Sequence, residues 1–68
     1  MSENFNQIEP VAVSVDKAAQ MLDVSRVKLY DLMHKDGFPV FRIGGRTLIS
    51  VDGLREWVKA QIEQEVRA

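Results

Sequence analysis

The stretch Ser14–Met33, "SVDKAAQMLDVSRVKLYDLM", decides the fold. Ser14 and Ser25 each precede an apolar run with helical spacing. A serine hydroxyl there can accept from an unpaired N–H of the first helical turn. After Ser14, the residues Val15, Ala18, Ala19 and Leu22 recur at i, i+3, i+4 and i+7, which is one helical face. After Ser25, Leu29, Leu32 and Met33 form the apolar face of a second helix, expected from Ser25 to Lys35. Between the two runs, "LDVS" leaves room for a turn of three residues. Asp23 sits in that turn, and Asp tolerates left-handed backbone better than most residues with a side chain. Two helices joined so closely form a helix-turn-helix unit. Gly37 is expected to end the second helix as its C′ residue, and Pro39 prevents its resumption.

Downstream, "FPVFRIGGRTLIS" (Phe38–Ser50) holds two short apolar runs around Gly44-Gly45, with Arg42 and Arg46 on either side. Val40–Ile43 and Thr47–Ser50 read as strands of a hairpin. Glycine supplies the positive φ that tight hairpin turns need. A two-residue loop places Arg46 on the side of Ile43. A three-residue loop places Phe41, Ile43, Thr47 and Ile49 inside, with Arg42 and Leu48 outside. The second register is expected, because it frees both arginines. Ser50 then caps a third helix with Asp52 near its positive end. Leu54, Trp57, Val58 and Ile62 are its expected buried stripe, with Trp57 as the main core anchor. Gly53 in the first turn is a poor helix former, by about 1 kcal/mol relative to Ala. Upstream, residues 1–10 read as a flexible N-terminal arm, and Val11–Val13 as a short strand. The folded domain is expected over residues 11–66.

The chain has 68 residues, of which 46% are hydrophobic. That suits one small globular domain, burying only about 60% of its unfolded surface. There is no cysteine and a single histidine, His34. Disulfides and a thiolate metal site are excluded, and neither a metal nor a cofactor is expected. No run approaches the roughly 18 apolar residues of a membrane span. "MSENFNQIEP" lacks the features of a leader peptide, so the expected location is the cytoplasm. No nucleophile–base constellation or carboxylate pair in a plausible cleft is visible. Neither an enzyme nor a small-molecule substrate is therefore expected.

The net charge is −1, but it is unevenly spread. Residues 1–23 balance at −3, residues 24–49 at +3 and residues 50–68 at −1. The basic third contains the second helix and the hairpin. A basic centre of this kind is the footprint expected of contact with a polyanion.

Helix, turn, helix, hairpin and helix is the order of a winged helix-turn-helix. The segment Val13–Trp57 resembles the excisionase-like and MerR-like winged-helix DNA-binding domains of bacteria and their phages. The pattern is carried by Ala19 as the small residue of the first helix, Asp23 at the turn position and Leu29 six residues on. "GFP" with "R.GGR" in the wing and Leu54…Trp57 in the closing helix complete it. The turn position is often Gly in that family, and here it is Asp.

The resemblance implies a mainly α fold with a small β-hairpin and double-stranded DNA as the partner. It implies a recognition helix presenting Ser25, Arg26, Val27, Lys28, Tyr30, Asp31 and Lys35. Arg26 and Lys28 suit guanine O6 and N7, and Val27 suits a thymine methyl. Tyr30 and Lys35 suit phosphates. Asp31 either accepts from cytosine N4 or orients Lys28 or Lys35. In the wing, Gly44 and Gly45 keep the tip thin while Arg42 and Arg46 supply charge to the phosphate backbone. The competing reading of the same residues is a solvated helix face with an Asp31–Lys35 pair and an ordinary Gly-Gly hairpin.

Similar proteins act as architectural factors that help an integrase excise a mobile element, sometimes repressing promoters as well. Such a protein would be found with the nucleoid of a bacterial host. The alternatives are a small transcriptional regulator, a DNA-packaging protein like a terminase small subunit, and a protein-interaction module without DNA binding. The row Val58, Ile62, Val66 outruns the needs of the domain and suits contact with a second subunit, which would support cooperative self-association on DNA.

Overall fold

The computed structural model describes residues 9–67, with side chains through Val66. The element order is β1 (Ala12–Ser14), α1 (Val15–Leu22), α2 (Arg26–Met33), β2 (Val40–Ile43), β3 (Arg46–Ser50) and α3 (Val51–Arg67). This is a winged helix-turn-helix: three helices and a small antiparallel sheet of order β1-β3-β2. Most of the arm expected over residues 1–10 lies outside the described residues.

Each helix begins at a serine. The Ser14 hydroxyl accepts from Lys17 N–H at 3.1 Å, Ser25 from Lys28 N–H at 3.0 Å, and Ser50 from Gly53 N–H at 3.0 Å. Strands β1 and β3 run into their helices with no residue between. α1 ends at Asp23, which adopts φ 58° and ψ 44° in the left-handed region. Its N–H and that of Val24 close back on the last turn of α1, at 3.1 Å to Gln20 O and 3.0 Å to Ala19 O. The turn is thus kept without a glycine.

α2 is shorter than expected and ends at Met33 rather than Lys35. His34 N–H bonds to Asp31 O and Lys35 N–H to Leu32 O. These i→i−3 bonds tighten the helix and close it. Gly37, with φ 87°, lies in the following turn and is not the C′ residue of the helix.

The hairpin register differs from the expected one. Val40 faces Ile49, Phe41 faces Leu48, Arg42 faces Thr47 and Ile43 faces Arg46, so the loop is Gly44-Gly45 alone. Gly44 has φ 58° and Gly45 has no positive φ. That is the pattern of a type II′ turn, with glycine in the first central position.

The register is set at the base of the hairpin and not at its tip. Ser50 N–H donates to Pro39 O at 2.9 Å, while β1 places Val13 opposite Ile49. Ile49 is fully buried, so Val40, Arg42 and Thr47 share its face of the sheet. Phe41, Ile43, Arg46 and Leu48 take the other. The grouping of Phe41 and Ile43 with Thr47 and Ile49 inside is therefore corrected. Phe41 is 37% and Ile43 62% exposed.

The core lies where α1, α2, the sheet and the start of α3 meet. Leu29 and Ile49 are its largest fully buried side chains. Phe38, Leu32, Val13 and Leu54 surround them. Trp57 is not the main anchor: it is half-buried and packs edge-on against the buried Phe38, ring centroids 5.1 Å apart at 81°. Ile62 is not buried but 57% exposed. Gly53 has a steric role. A Cβ built on it would stand 2.5 Å from Pro39 Cβ, so the first turn of α3 rests directly on the proline ring.

Candidate nucleic-acid interface

The eleven residues singled out from the sequence are all exposed: Ser25, Arg26, Val27, Lys28, Tyr30, Asp31 and Lys35, with Arg42, Gly44, Gly45 and Arg46 of the wing. Among the described residues, no buried position holds a polar or charged side chain. The polar chemistry of these residues is therefore outside the core.

At the start of α2, Ser25 is engaged as the cap, and the next three side chains point outward. Val27 is 81% exposed, on the side of α2 away from the buried Leu29 and Leu32. Arg26 is oriented from two sides. Its Nε lies 3.0 Å from Asp16 Oδ1 in the first turn of α1, and its guanidinium carbon lies 5.7 Å from the Tyr30 ring centroid. Both contacts favour the cation. Tyr30 first and Asp16 second raise the Arg26 pKa above its already high ordinary value, so the residue is charged throughout the accessible pH range. Asp16 was not a candidate from the sequence. It belongs to another helix, and only the crossing of α1 and α2 brings it there.

In the same turn, Lys28 Nζ lies 3.9 Å from Asp31 Oδ2. The pair is i,i+3 within α2, so Asp31 stands beside Lys28, and the Asp31–Lys35 pair of the competing reading does not form. The i→i−3 closure at Leu32 draws Lys35 out of the helix, which removes the i+4 relation. His34 Nδ1 lies 2.8 Å from Tyr30 O, so the ring covers a last-turn carbonyl of α2 and Nδ1–H donates to it.

The wing carries its two arginines on opposite faces. Arg42 stands across from Thr47, and Arg46 across from Ile43. Among the described residues, Lys35, Arg42 and Arg46 have no carboxylate within ion-pair distance, whereas Arg26, Lys28 and Lys59 each have one and Arg55 has two. Ile43 was also missed as a surface residue, because the expected register buried it.

No group of three His, Asp or Glu side chains among the described residues is placed to hold a metal. No helix among them is long and apolar enough to cross a membrane. No curated protein and no solved structure matched the chain significantly. The model of the helix-turn-helix domain family matches residues 12–62, from the first residue of β1 through most of α3. With that match and the capped helix pair, left-handed turn and hairpin described above, the chain belongs to the helix-turn-helix domain family of excisionase-like DNA-binding proteins.

Proposed function

We propose that the chain is a sequence-specific architectural DNA-binding protein of excisionase type, which directs an integrase toward excision of a mobile element. The observation that carries the reading is the first turn of α2, where Arg26, Val27 and Lys28 are all exposed, in a chain whose wing arginines lack acidic partners among the described residues. The N-terminal residues of a recognition helix are the ones that reach base edges in the major groove.

Arg26 has five donors in a planar fork, and Asp16 engages it through Nε. The fork, held against Tyr30, is suited to guanine O6 and N7. Lys28 reads a neighbouring position, restrained by Asp31, and Val27 meets a thymine methyl. Tyr30 and Lys35 hold phosphates, while Arg42 and Arg46 straddle the wing and neutralise phosphates on either side of the groove it enters. Gly44-Gly45 keeps the tip thin, and Ile43 beside Arg46 offers an apolar contact to the sugars.

No bond is made or broken by the protein itself. Phosphate neutralisation supplies affinity, and DNA deformation supplies the output. So few cations bind one site weakly at physiological salt, so several copies fill adjacent sites together.

Footprinting and gel shifts on the attachment-site DNA of the host element test the reading. Stepwise slower complexes, a bend by circular permutation and integrase-dependent excision that requires this protein are expected. A single site at a promoter, straight DNA and unaffected excision would replace recombination by transcriptional regulation. A chain that leaves a low-salt DNA column without retention would make it a protein-interaction module.

A further inference from the structure

We infer that two copies of this chain associate through α3, the C-terminal halves of the two helices packing antiparallel with the end of each at the mouth of the other's groove. α3 continues well past the body of the domain. Its last buried residue is Leu54, and from Ile62 to Val66 every side chain is exposed. A helical end gains its stability chiefly from packing an apolar face, and this one packs on nothing within its own chain among the described residues. Yet it keeps such a face: Ile62 is 57% and Val66 81% exposed, continuing the row begun by the half-buried Val58.

At the other end of the same row lies a matching depression. An open groove of about 360 Å³ separates the end of α1 from α3. Its floor is apolar, from Met21 and Leu22 of α1 and Leu54 and Val58 of α3, and Arg55 and Lys59 stand along it. The protruding end carries the opposite charge, with Glu63 and Glu65 beside Ile62 and Val66. Apolar tail and apolar groove, acidic flank and basic rim are thus complementary, and both halves lie on one helix.

A surface that carries both halves is satisfied by a second copy related by a two-fold axis. With the helices antiparallel and Ile62 meeting Ile62, Val66 of each copy lies over Val58 of the other, at the mouth of the groove. Lys59 comes beside Glu63 of the second copy. Arg55 and Lys59 already touch Asp52, Glu9 and Glu56 at 3.4–3.9 Å, but these are exposed pairs that exchange at little cost. None of the groove residues belongs to α2 or the wing. The contact links copies in pairs on neighbouring DNA sites of the proposed occupancy, and it does not require DNA to form.

Sedimentation equilibrium of the full chain without DNA is the test. The apparent mass should rise from 7.7 kDa toward twice that value with concentration, and the melting temperature should rise with it. Ile62→Glu and Val66→Glu should each hold the mass at the monomer value and make melting independent of concentration. Both positions are exposed in the monomer, so circular dichroism should show the fold retained. A wild-type chain that stays monomeric at every concentration overturns the inference and leaves the groove to another protein. So does an Ile62→Glu variant that associates like wild type. Gel shifts on multi-site DNA separate the two readings. Ile62→Glu should still bind single sites while filling neighbours independently. Loss of all DNA binding with an unchanged mass result would sink the DNA reading and leave this one standing.

Discussion

Replacing Gly53 by alanine sets two physical effects against each other. In an exposed helix, glycine to alanine stabilises by about 1 kcal/mol, because alanine has fewer unfolded conformations to lose. Here the new Cβ would stand 2.5 Å from Pro39 Cβ, 3.3 Å from Pro39 Cγ and 3.2 Å from the Ser50 hydroxyl oxygen. Carbon atoms prefer about 3.5–4.0 Å, so a displacement on the order of 1 Å is needed. Pro39 is poorly placed to supply it. Its carbon is part of a ring, its carbonyl accepts from Ser50 N–H at 2.9 Å, and the preceding Phe38 is buried.

Overpacking of this kind costs about 1–3 kcal/mol. Displacing the Ser50 cap adds about 1 kcal/mol. After the propensity gain, the expected net loss is about 1–3 kcal/mol. In a domain of this size, each kcal/mol lowers the melting temperature by roughly 4–8 °C. Urea and thermal denaturation of Gly53→Ala at matched protein concentration read the effect directly. A variant as stable as wild type, or more so, would refute the reasoning. It would show that the strand–helix junction yields easily and that Gly53 is tolerated rather than required.

Phe38→Ala should cost about 3–5 kcal/mol, and Trp57→Ala measurably less, because only Phe38 is fully packed; chemical denaturation giving the reverse order would restore Trp57 as the anchor. Asp23→Gly should match or exceed wild-type stability, while Asp23→Val should lose about 1–2 kcal/mol through its left-handed backbone. Equal melting temperatures for the two variants would show that the turn can change its geometry. Arg46→Ala should weaken binding to all DNA sequences alike and reduce the log–log salt slope by about 0.9; an unchanged slope removes Arg46 from the interface. Asp16→Ala should leave overall DNA affinity intact or raised while narrowing the preference for target over scrambled sequence, because Arg26 loses its positioning contact. Undiminished selectivity in competition gel shifts would make the Asp16–Arg26 pair incidental.

The local parts of the fold were legible because each depends on a few neighbouring residues. Ser14, Ser25 and Ser50 announce helix starts through chemistry that reaches only three residues ahead. Asp23 is readable as a left-handed turn for the same reason. The hairpin register was not legible. Three of the four residues in Val40–Ile43 are apolar, so no alternation marks the inner face. Both loop lengths accommodate Gly44-Gly45. What decides between them is β1 and the Pro39–Ser50 hydrogen bond, contacts that join residues 11 to 38 positions apart. Separation in sequence, 10 and 14 positions, also hid Asp16 from Arg26 and Pro39 from Gly53. The exposed face of α2 followed from periodicity, and the glycine tip of the wing from turn chemistry. Which charges are held, and by what, depended on how the helices cross.

The direct run of β3 into α3 has a mechanical consequence. Ser50 closes the strand, bonds to Pro39 O and caps the helix, so no hinge residue separates the wing from α3. Wing and helix therefore turn as one lever with its fulcrum at Ser50. A helix of 17 residues is about 25 Å long, so a tilt of about 10° at the wing sweeps its far end through about 4 Å. Groove width sensed at Gly44-Gly45 would be magnified at Ile62 and Val66. Spin labels at residues 44 and 66 should report one distance with and without DNA, and a distance that changes would place a joint where the structure has none.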